Sequence, residues 1–332
     1  MSVIYVREHN AVVRKQGESL RVTEGERETL RIPLVDLEQL ILMGNAQLTT
    51  PAAVMLLQAG VDVVFMSRYG KYRGRLTTNG SKFAELRHQQ LRLCDDPDRT
   101  LDLARQIVVG KVTNQRVVLQ RRAEEIPDAA TALRGMLAML EAALSARDLD
   151  QLRGFEGKAA AWYFGGVRTF FSEGWGFTSR EYHPPPDPVN ALLSFAYTLL
   201  LKDVEAKIQL VGLDPYLGFF HTLGYNRPAL ALDVMEEFRP SIADIVVLTA
   251  ISDQRITLDD FSFTGDPEAP VRMSPQAVEQ LVMGYEARLS DRIYHPLQNG
   301  QVDYRRAIEL QVRQMSRLIR GEDSVYTPLT MR

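Results

Sequence analysis

One histidine in this chain is followed by acids at helical spacing. His221 stands in GFFHTLGYNRPALALDVMEEFRP (residues 218–240), where two phenylalanines precede it and a turn-rich gap follows. A short helical pattern then carries Asp233, Glu236 and Glu237. The spacing i, i+3, i+4 brings at least two of these carboxylates to one side of a helix. Leu230, Ala231, Val234, Met235 and Phe238 supply its apolar remainder. Like charges held so close repel one another, and a divalent cation relieves that repulsion. Histidine with carboxylates suits Mn²⁺, Mg²⁺ or Zn²⁺, and a carboxylate-rich set leans towards the harder ions. A solvated acidic face is the alternative, and spacing alone leaves it open. The other histidines lack such acids: His9 falls in a turn, His88 on a basic helix, His183 in the proline-rich REYHPPPDP and His295 beside Pro296.

A second acid stands out in LRGFEGKAAAWYFGGVRTFF, where Glu156 leads into an apolar, aromatic run. A carboxylate buried there needs a partner. At a helix start on the surface it would instead be favoured by the helix dipole. Spacing does not connect Glu156 to His221. Several chemistries are excluded by missing motifs: there is no GxxxxGK[ST], no GxGxxG after a strand, no HExxH and no paired CxxC.

The elements that must position these groups fall into two regions of different period. SVIYV, AVVRK, SLRVT and TLRIP are short β-rich runs separated by HN, QGE and EGER turns, and LEQLILMG adds another. TPAAVMLLQAG predicts a helix with Thr50 as cap, Pro51 at the first helical position and Gly60 past the end. VDVVFMS and KYRGRLTT return to strand. From about Ser81 apolar residues recur three and four apart, in KFAELRHQQLRL, in DRTLDLARQIVVGKVTNQRVVLQRRAEE and in ATALRGMLAMLEAAL. DPVNALLSFAYTLLLKDVEAKIQLVG predicts a central helix capped by Asp187, opened by Pro188 and stopped by Gly212. QRITLDDFSFTG suggests a small hairpin, and the tail from Ser274 is again helical in pattern. The expected fold class is therefore α+β: a small N-terminal β-domain (1–78), a linker (79–84) and a larger all-α domain (85–332).

At 332 residues, 45% hydrophobic and 24% charged, the composition is that of an ordinary soluble protein with room for two domains. The one cysteine, Cys94, excludes an internal disulfide framework and fits a reducing cytoplasm. No apolar run reaches the roughly 18–20 residues that span a bilayer, and MSVIYVREHN lacks a signal-peptide layout, so a cytoplasmic protein with no membrane partner is expected. The net charge of −3 hides an asymmetry: residues 68–122 hold 13 Lys/Arg against 5 Asp/Glu. A basic stretch inside an acidic chain can form a polyanion-binding surface, or simply solvated helix faces.

The sequence resembles the CRISPR-associated integrase–endonuclease family, the DNA-joining subunit of the spacer-acquisition machinery. The likeness runs through IPLVDLEQLILMGNAQLTTPAAVMLLQAGVDVVFMSRYGKYRGRL, GFEGKAAAWYF, PPPDPVNALLSFAYTLL and GFFHTLGYNRPALALDVMEEFRP, in that order. The resemblance implies a Mn²⁺ or Mg²⁺ site whose ligands fall on Glu156, His221 and Glu236; the third is glutamate here where some relatives use aspartate. It implies that Asp233 belongs to the same centre and that Asn190 lines it. Glu237, turned about 40° from Asp233 on an ideal helix, is expected to pair with a basic residue instead. The larger domain would be catalytic, and the β-domain would pair the chain into a homodimer. Two such dimers would flank a dimer of a small ferredoxin-like companion protein. The substrates would be double-stranded DNA, a captured fragment and the CRISPR repeat, with 3′-OH ends joined by transesterification. Arg68, Lys71, Arg73, Arg75, Lys82, Arg87 and Arg92 would contact the phosphate backbone. A catalytically silent DNA-binding scaffold and a branched-DNA nuclease of repair are the competing readings.

Overall fold

The computed structural model describes all residues except 1, 7, 9, 36, 67–71, 77–82, 123, 125–128, 182–183, 269 and 332. Arg68, Lys71, Lys82 and most of the expected linker therefore lie outside the described residues. The chain divides into two compact units, residues 1–88 and 89–332.

The smaller unit is built on two four-stranded sheets. In one, β1 (Ser2–Val6), β5 (Leu37–Met43) and β7 (Asp62–Met66) run parallel, and β8 (Tyr72–Leu76) closes the edge antiparallel to β7. Leu40, Ile41 and Leu42 are at most 2% exposed, and Val63 and Val64 are fully buried. Such burial on both faces explains why these strands read as continuous apolar runs rather than alternating ones. The other sheet has the order β4 (Arg27–Pro33), β3 (Ser19–Glu24), β2 (Val12–Gln16), β6 (Gln47–Leu48). Its two hairpins turn through Gly17 and Gly25, both at φ 59, the left-handed backbone that two-residue turns require. Helix α1 (Thr50–Gln58) packs Ala52, Met55 and Leu56 into the shared core. Its N-cap is Thr49, not Thr50, and the Thr49 hydroxyl donates to the Val13 carbonyl (3.2 Å) instead of capping. The helix start is thus set by tertiary contact with β2.

In the larger unit α3 (Pro97–Arg121), α4 (Ala129–Leu144) and α5 (Leu149–Arg168) form an antiparallel group. A Cβ on Gly135 of α4 would lie 2.4 Å from the Trp162 indole of α5, so that glycine is what lets the two helices approach. Helix α6 (Pro188–Val211) is central: Val189, Leu192, Ala196, Leu200, Val204 and Ile208 are fully buried. Asp187 caps it by accepting from the Asn190 N–H (2.9 Å), and Gly212 ends it at φ 96. Helix α7 (Ala229–Met235), a π-helical turn over Arg239–Asp244, α8 (Ile245–Ser252), α9 (Pro275–Ser290) and α10 (Tyr304–Ile319) complete the helical set.

This unit is not purely helical, which corrects the all-α expectation. Hairpins pair β9 (Phe261–Phe263) with β10 (Val271–Met273), and β11 (Arg292–His295) with β12 (Gly300–Asp303). Strands of three or four residues are too short to show a period of two, and the first hairpin lies one segment later than QRITLDDFSFTG suggested. Among the described residues no helix is long and apolar enough to cross a membrane.

Glu237 departs from expectation too. Among the described residues it pairs with no basic side chain; it accepts from the Tyr326 hydroxyl (2.6 Å), the Leu329 N–H (2.6 Å) and the Gln311 side chain (3.1 Å). Glu236 keeps helical angles (φ −57, ψ −41) before the π-helical turn over Arg239–Asp244, and Glu237 faces inward to the C-terminal tail. Burial pushes its carboxyl up to about 7 against those hydrogen bonds. Asn114 completes the anchor, donating to the carbonyls of Glu237 (2.7 Å) and Leu329 (2.9 Å) and accepting from the Met331 N–H (2.8 Å). Replacing Glu237 by alanine strands three donors in the interior, so a loss of about 1–3 kcal/mol is expected in denaturant unfolding. Hydrogen exchange should speed up across residues 326–331; protection equal to wild type there would show that the tail is held by other contacts.

Candidate active site

The site begins with a carboxylate that gathers a loop. Asp233, on α7 and fully buried at its side chain, accepts from three consecutive backbone N–H groups: Phe219 (2.6 Å), Phe220 (3.0 Å) and His221 (2.9 Å). Its Oδ1 also lies 2.7 Å from His221 Nδ1. The close approach needs Gly218, where a Cβ would sit 2.6 Å from the backbone carbon of Ala229 at the start of α7. Gln90 of α2 (Ala84–Cys94) pins the segment just before, donating to the carbonyls of Asp214 (2.9 Å) and Leu217 (2.8 Å). From the other side Arg153 of α5 donates to the Phe220 carbonyl (3.0 Å). Cys94 nearby, pushed up to about 12 by burial and then by Asp233, is an inert thiol.

With Nδ1 tied to Asp233, the His221 ring presents Nε2 on its far side. That nitrogen faces Oε1 of Glu236 at 3.7 Å. Glu236 follows the last residue of α7 and is buried, with Arg239 Nη1 3.2 Å from Oε1 and Lys111 Nζ 2.7 Å from Oε2. The same ammonium lies 2.5 Å from Oε1 of Glu156. Glu156 sits in the middle of α5, not at a helix start, and its side chain is 18% exposed. Three helices and a loop thus bring His221, Glu236, Lys111 and Glu156 into one line. Burial pushes the Glu236 carboxyl up, but Arg239, Lys111 and His221 outweigh it and hold it well below the usual carboxylate range.

Asn190 is fully buried, with hydrogen-bond partners in residues 179–181 and in its own helix cap. Its Oδ1 accepts from Arg180 (2.7 Å) and from the Glu181 N–H (2.9 Å), and its amide donates to Ser179 (2.9 Å) and Asp187 (2.7 Å). Through Arg180 it reaches the cluster. The Arg180 guanidinium lies 5.2 Å from the Tyr197 ring centre and the Arg239 guanidinium 4.9 Å, lining an open pocket of about 210 Å³. Tyr197 and Tyr163 donate to Asp244 (2.6 and 2.8 Å), whose carboxyl burial pushes up to about 6.

Lys111 and Arg239 were missed in the sequence. A signal existed for Lys111: it stands on the buried stripe of α3, with Ala104, Ile107, Val108, Gln115 and Val118, where an uncompensated ammonium would not be tolerated. Of the residues expected on a phosphate-binding surface, Arg73, Arg87 and Arg92 are exposed. Arg75 is largely buried, 4.0 Å from Asp62 and 4.5 Å from the Phe83 ring centre, which commits it to its own unit.

Among the described residues no three His, Cys, Asp or Glu side chains already converge at ligand distance. The donors nevertheless fit a divalent ion. Two carboxylates and an imidazole nitrogen form an oxygen–nitrogen set, and the Lys111 ammonium shows that a cation is accepted between Glu156 and Glu236. Asp233 directs both oxygens at the 219–221 loop, so its place is behind His221.

The family model described as "CRISPR associated protein Cas1" matches residues 4–287. The chain is 38% identical to CRISPR-associated endonuclease Cas1 3 of Thermus thermophilus, over all of this chain and 98% of that protein. It is 34% identical to CRISPR-associated endonuclease Cas1 1 of Moorella thermoacetica, over 100% and 99% of the two. Its fold is similar to that of a casposase bound to integration product (TM-score 0.84, 20% identity, 98% of each chain). A chain of a partial Cas6-RT-Cas1–Cas2 complex is similar at TM-score 0.79 and 25% identity, over 100% and 99%.

Asp233→Asn replaces one acceptor by a donor among four donors, so a loss of about 2–4 kcal/mol is expected. The His221 ring should lose its single tautomer, read from its ¹⁵N shifts. Unchanged shifts in that variant would mean that another group orients the imidazole.

Proposed function

This chain belongs to the CRISPR-associated Cas1 family, and from that premise we propose that its integrase and endonuclease chemistry takes place at Glu156, His221 and Glu236. The observation that carries the assignment is His221: its Nδ1 is tied to Asp233 while Nε2 faces Glu236. Glu156, Glu236 and Nε2 of His221 would hold Mn²⁺ or Mg²⁺, which when bound would supply polarisation of the scissile phosphate and acidification of the attacking hydroxyl.

The chain's own residues do the rest. Asp233 fixes the imidazole so that no reorientation is needed at the moment of reaction. Arg239 and Lys111 place positive charge where the phosphodiester gains negative charge in the transition state. The Arg180–Tyr197–Arg239 stack beside them offers guanidinium edges to neighbouring phosphates. With the 3′-OH of a captured fragment as nucleophile, a new P–O bond forms and the target strand's P–O3′ bond breaks. A free 3′-OH leaves, and the nucleophile's proton balances its charge. With water as nucleophile the same displacement cleaves the strand.

Double-stranded DNA is the substrate, and the relatives' occurrence in multi-protein complexes supports a partner protein. In the finer reading the partner is a small ferredoxin-like companion, and the β-domain of residues 1–78 forms the homodimer. The larger domain, mostly helical, carries the catalysis. The reaction belongs in the cytoplasm. Arg73, Arg87 and Arg92 contact phosphates.

Strand transfer of labelled 3′-OH DNA into a repeat-bearing plasmid tests the assignment. Joining should fall about 10²-fold or more in Glu156→Ala, His221→Ala and Glu236→Ala and stop in chelator; joining that survives all three would place the chemistry elsewhere. Arg73→Ala and Arg92→Ala should each lower the slope of log K against log salt by about 1 without changing sequence preference. A slope equal to wild type in both would remove this face from the DNA surface.

A further inference from the structure

The Lys111 ammonium is 92% buried and stands between one oxygen of each proposed ligand, 2.5 Å from Glu156 and 2.7 Å from Glu236. A small hard cation binds carboxylate oxygens at about 2.0–2.2 Å. An ion using these same two oxygens would have to take the ground that Nζ holds. Two positive charges within about 4 Å repel strongly in a buried setting. We propose that Lys111 is an internal counter-cation that competes with the divalent ion. Its bridge keeps Glu156 and Glu236 together when no metal is bound, and the bridge and the metal-bound site exclude each other.

The rest of the cluster explains why such a stand-in is useful. Glu236 is only 2% exposed at its side chain and has Arg239 on its other oxygen. Without Lys111 it would face Glu156 across a space with no charge between them, the arrangement that buried ion pairs exist to avoid. His221 does not need the lysine, because Asp233 and the loop amides hold it. The site is therefore assembled before metal arrives, and metal affinity is lowered by the share of molecules in which the bridge is closed. The ammonium released from the bridge remains beside the phosphodiester, so DNA gives it a new partner and favours the open state. This inference rests on the ligand assignment above.

Mn²⁺ binding to the full-length protein, followed by calorimetry and by loss of the free-ion EPR signal, tests it. Lys111→Met keeps the length of the side chain and removes its charge. The expected result is Mn²⁺ binding about tenfold or more tighter than wild type, with a lower melting temperature without metal that Mn²⁺ restores. Binding unchanged or weaker in Lys111→Met overturns the competition. His221→Ala, which leaves the Lys111 contacts alone, reports on the site itself. If it loses Mn²⁺ while Lys111→Met gains nothing, only the competition fails; if it binds as wild type, the ligand assignment fails and this inference with it. Should Lys111→Met fold poorly, wild type decides. The ¹³Cε resonance of Lys111, identified by its absence in Lys111→Arg, should shift as Mg²⁺ saturates the site, and a resonance that stays in place overturns the proposal.

Discussion

The cluster around His221 depends on one carboxylate whose two oxygens are both taken up by its own chain. Asp233 collects the N–H groups of residues 219, 220 and 221 and the His221 ring on two oxygens. Three converging amides make a nest for the Asp233 carboxylate oxygens, and the loop takes one conformation. The fixed loop sets the imidazole, and Glu236 follows on the same short helix. Arg153, one turn before Glu156 on α5, holds the Phe220 carbonyl and ties the second carboxylate's helix to the same loop. Local hydrogen bonding and long-range placement are therefore one network, built around a residue that sequence reading groups with the ligands.

What spacing along the chain shows, and what it hides, follows from the range of each interaction. The strands were legible because two-sided burial leaves continuous apolar runs, and α6 because Asp187 and Gly212 are local signals at its ends. Thr50 was read as the cap because no local rule reveals that the helix start hangs on a β2 carbonyl held by Thr49. The two-residue strand β6 and the short hairpins fall below the length at which a period can be seen. A basic partner was expected for Glu237 because its real partners, Gln311, Tyr326 and Leu329, lie 74–92 positions away, beyond the reach of helical spacing.

His221, Asp233 and Glu236 lie within sixteen positions of one another, and their chemistry could be suspected locally. Glu156 and Lys111 join them only through the packing of α3 against both α5 and α7. No periodicity links those positions, and the family resemblance was needed to connect Glu156 to His221. Lys111 was countable only as part of a basic stretch. Its place on a buried helix stripe was the stronger signal, since a long cation facing a core demands an acid somewhere else in the sequence.

The charges at the centre show why one site can serve two nucleophiles. Glu156 and Glu236 are balanced by Lys111 and Arg239, while Asp233 is satisfied by amides and an imidazole. Leaving the imidazole aside, three carboxylates against two cations leave the cluster with about one net negative charge. On the proposed assignment a divalent ion would bring it to about one net positive charge. A pentavalent phosphorane carries about one negative charge more than the diester it forms from, so the positive site favours the transition state over the ground state. Nothing in that balance distinguishes a sugar hydroxyl from water. The choice between joining and cleavage therefore falls to whatever brings a 3′-OH in line with the phosphorus. Placement by DNA contacts outside the cluster decides it, not the cluster's own chemistry.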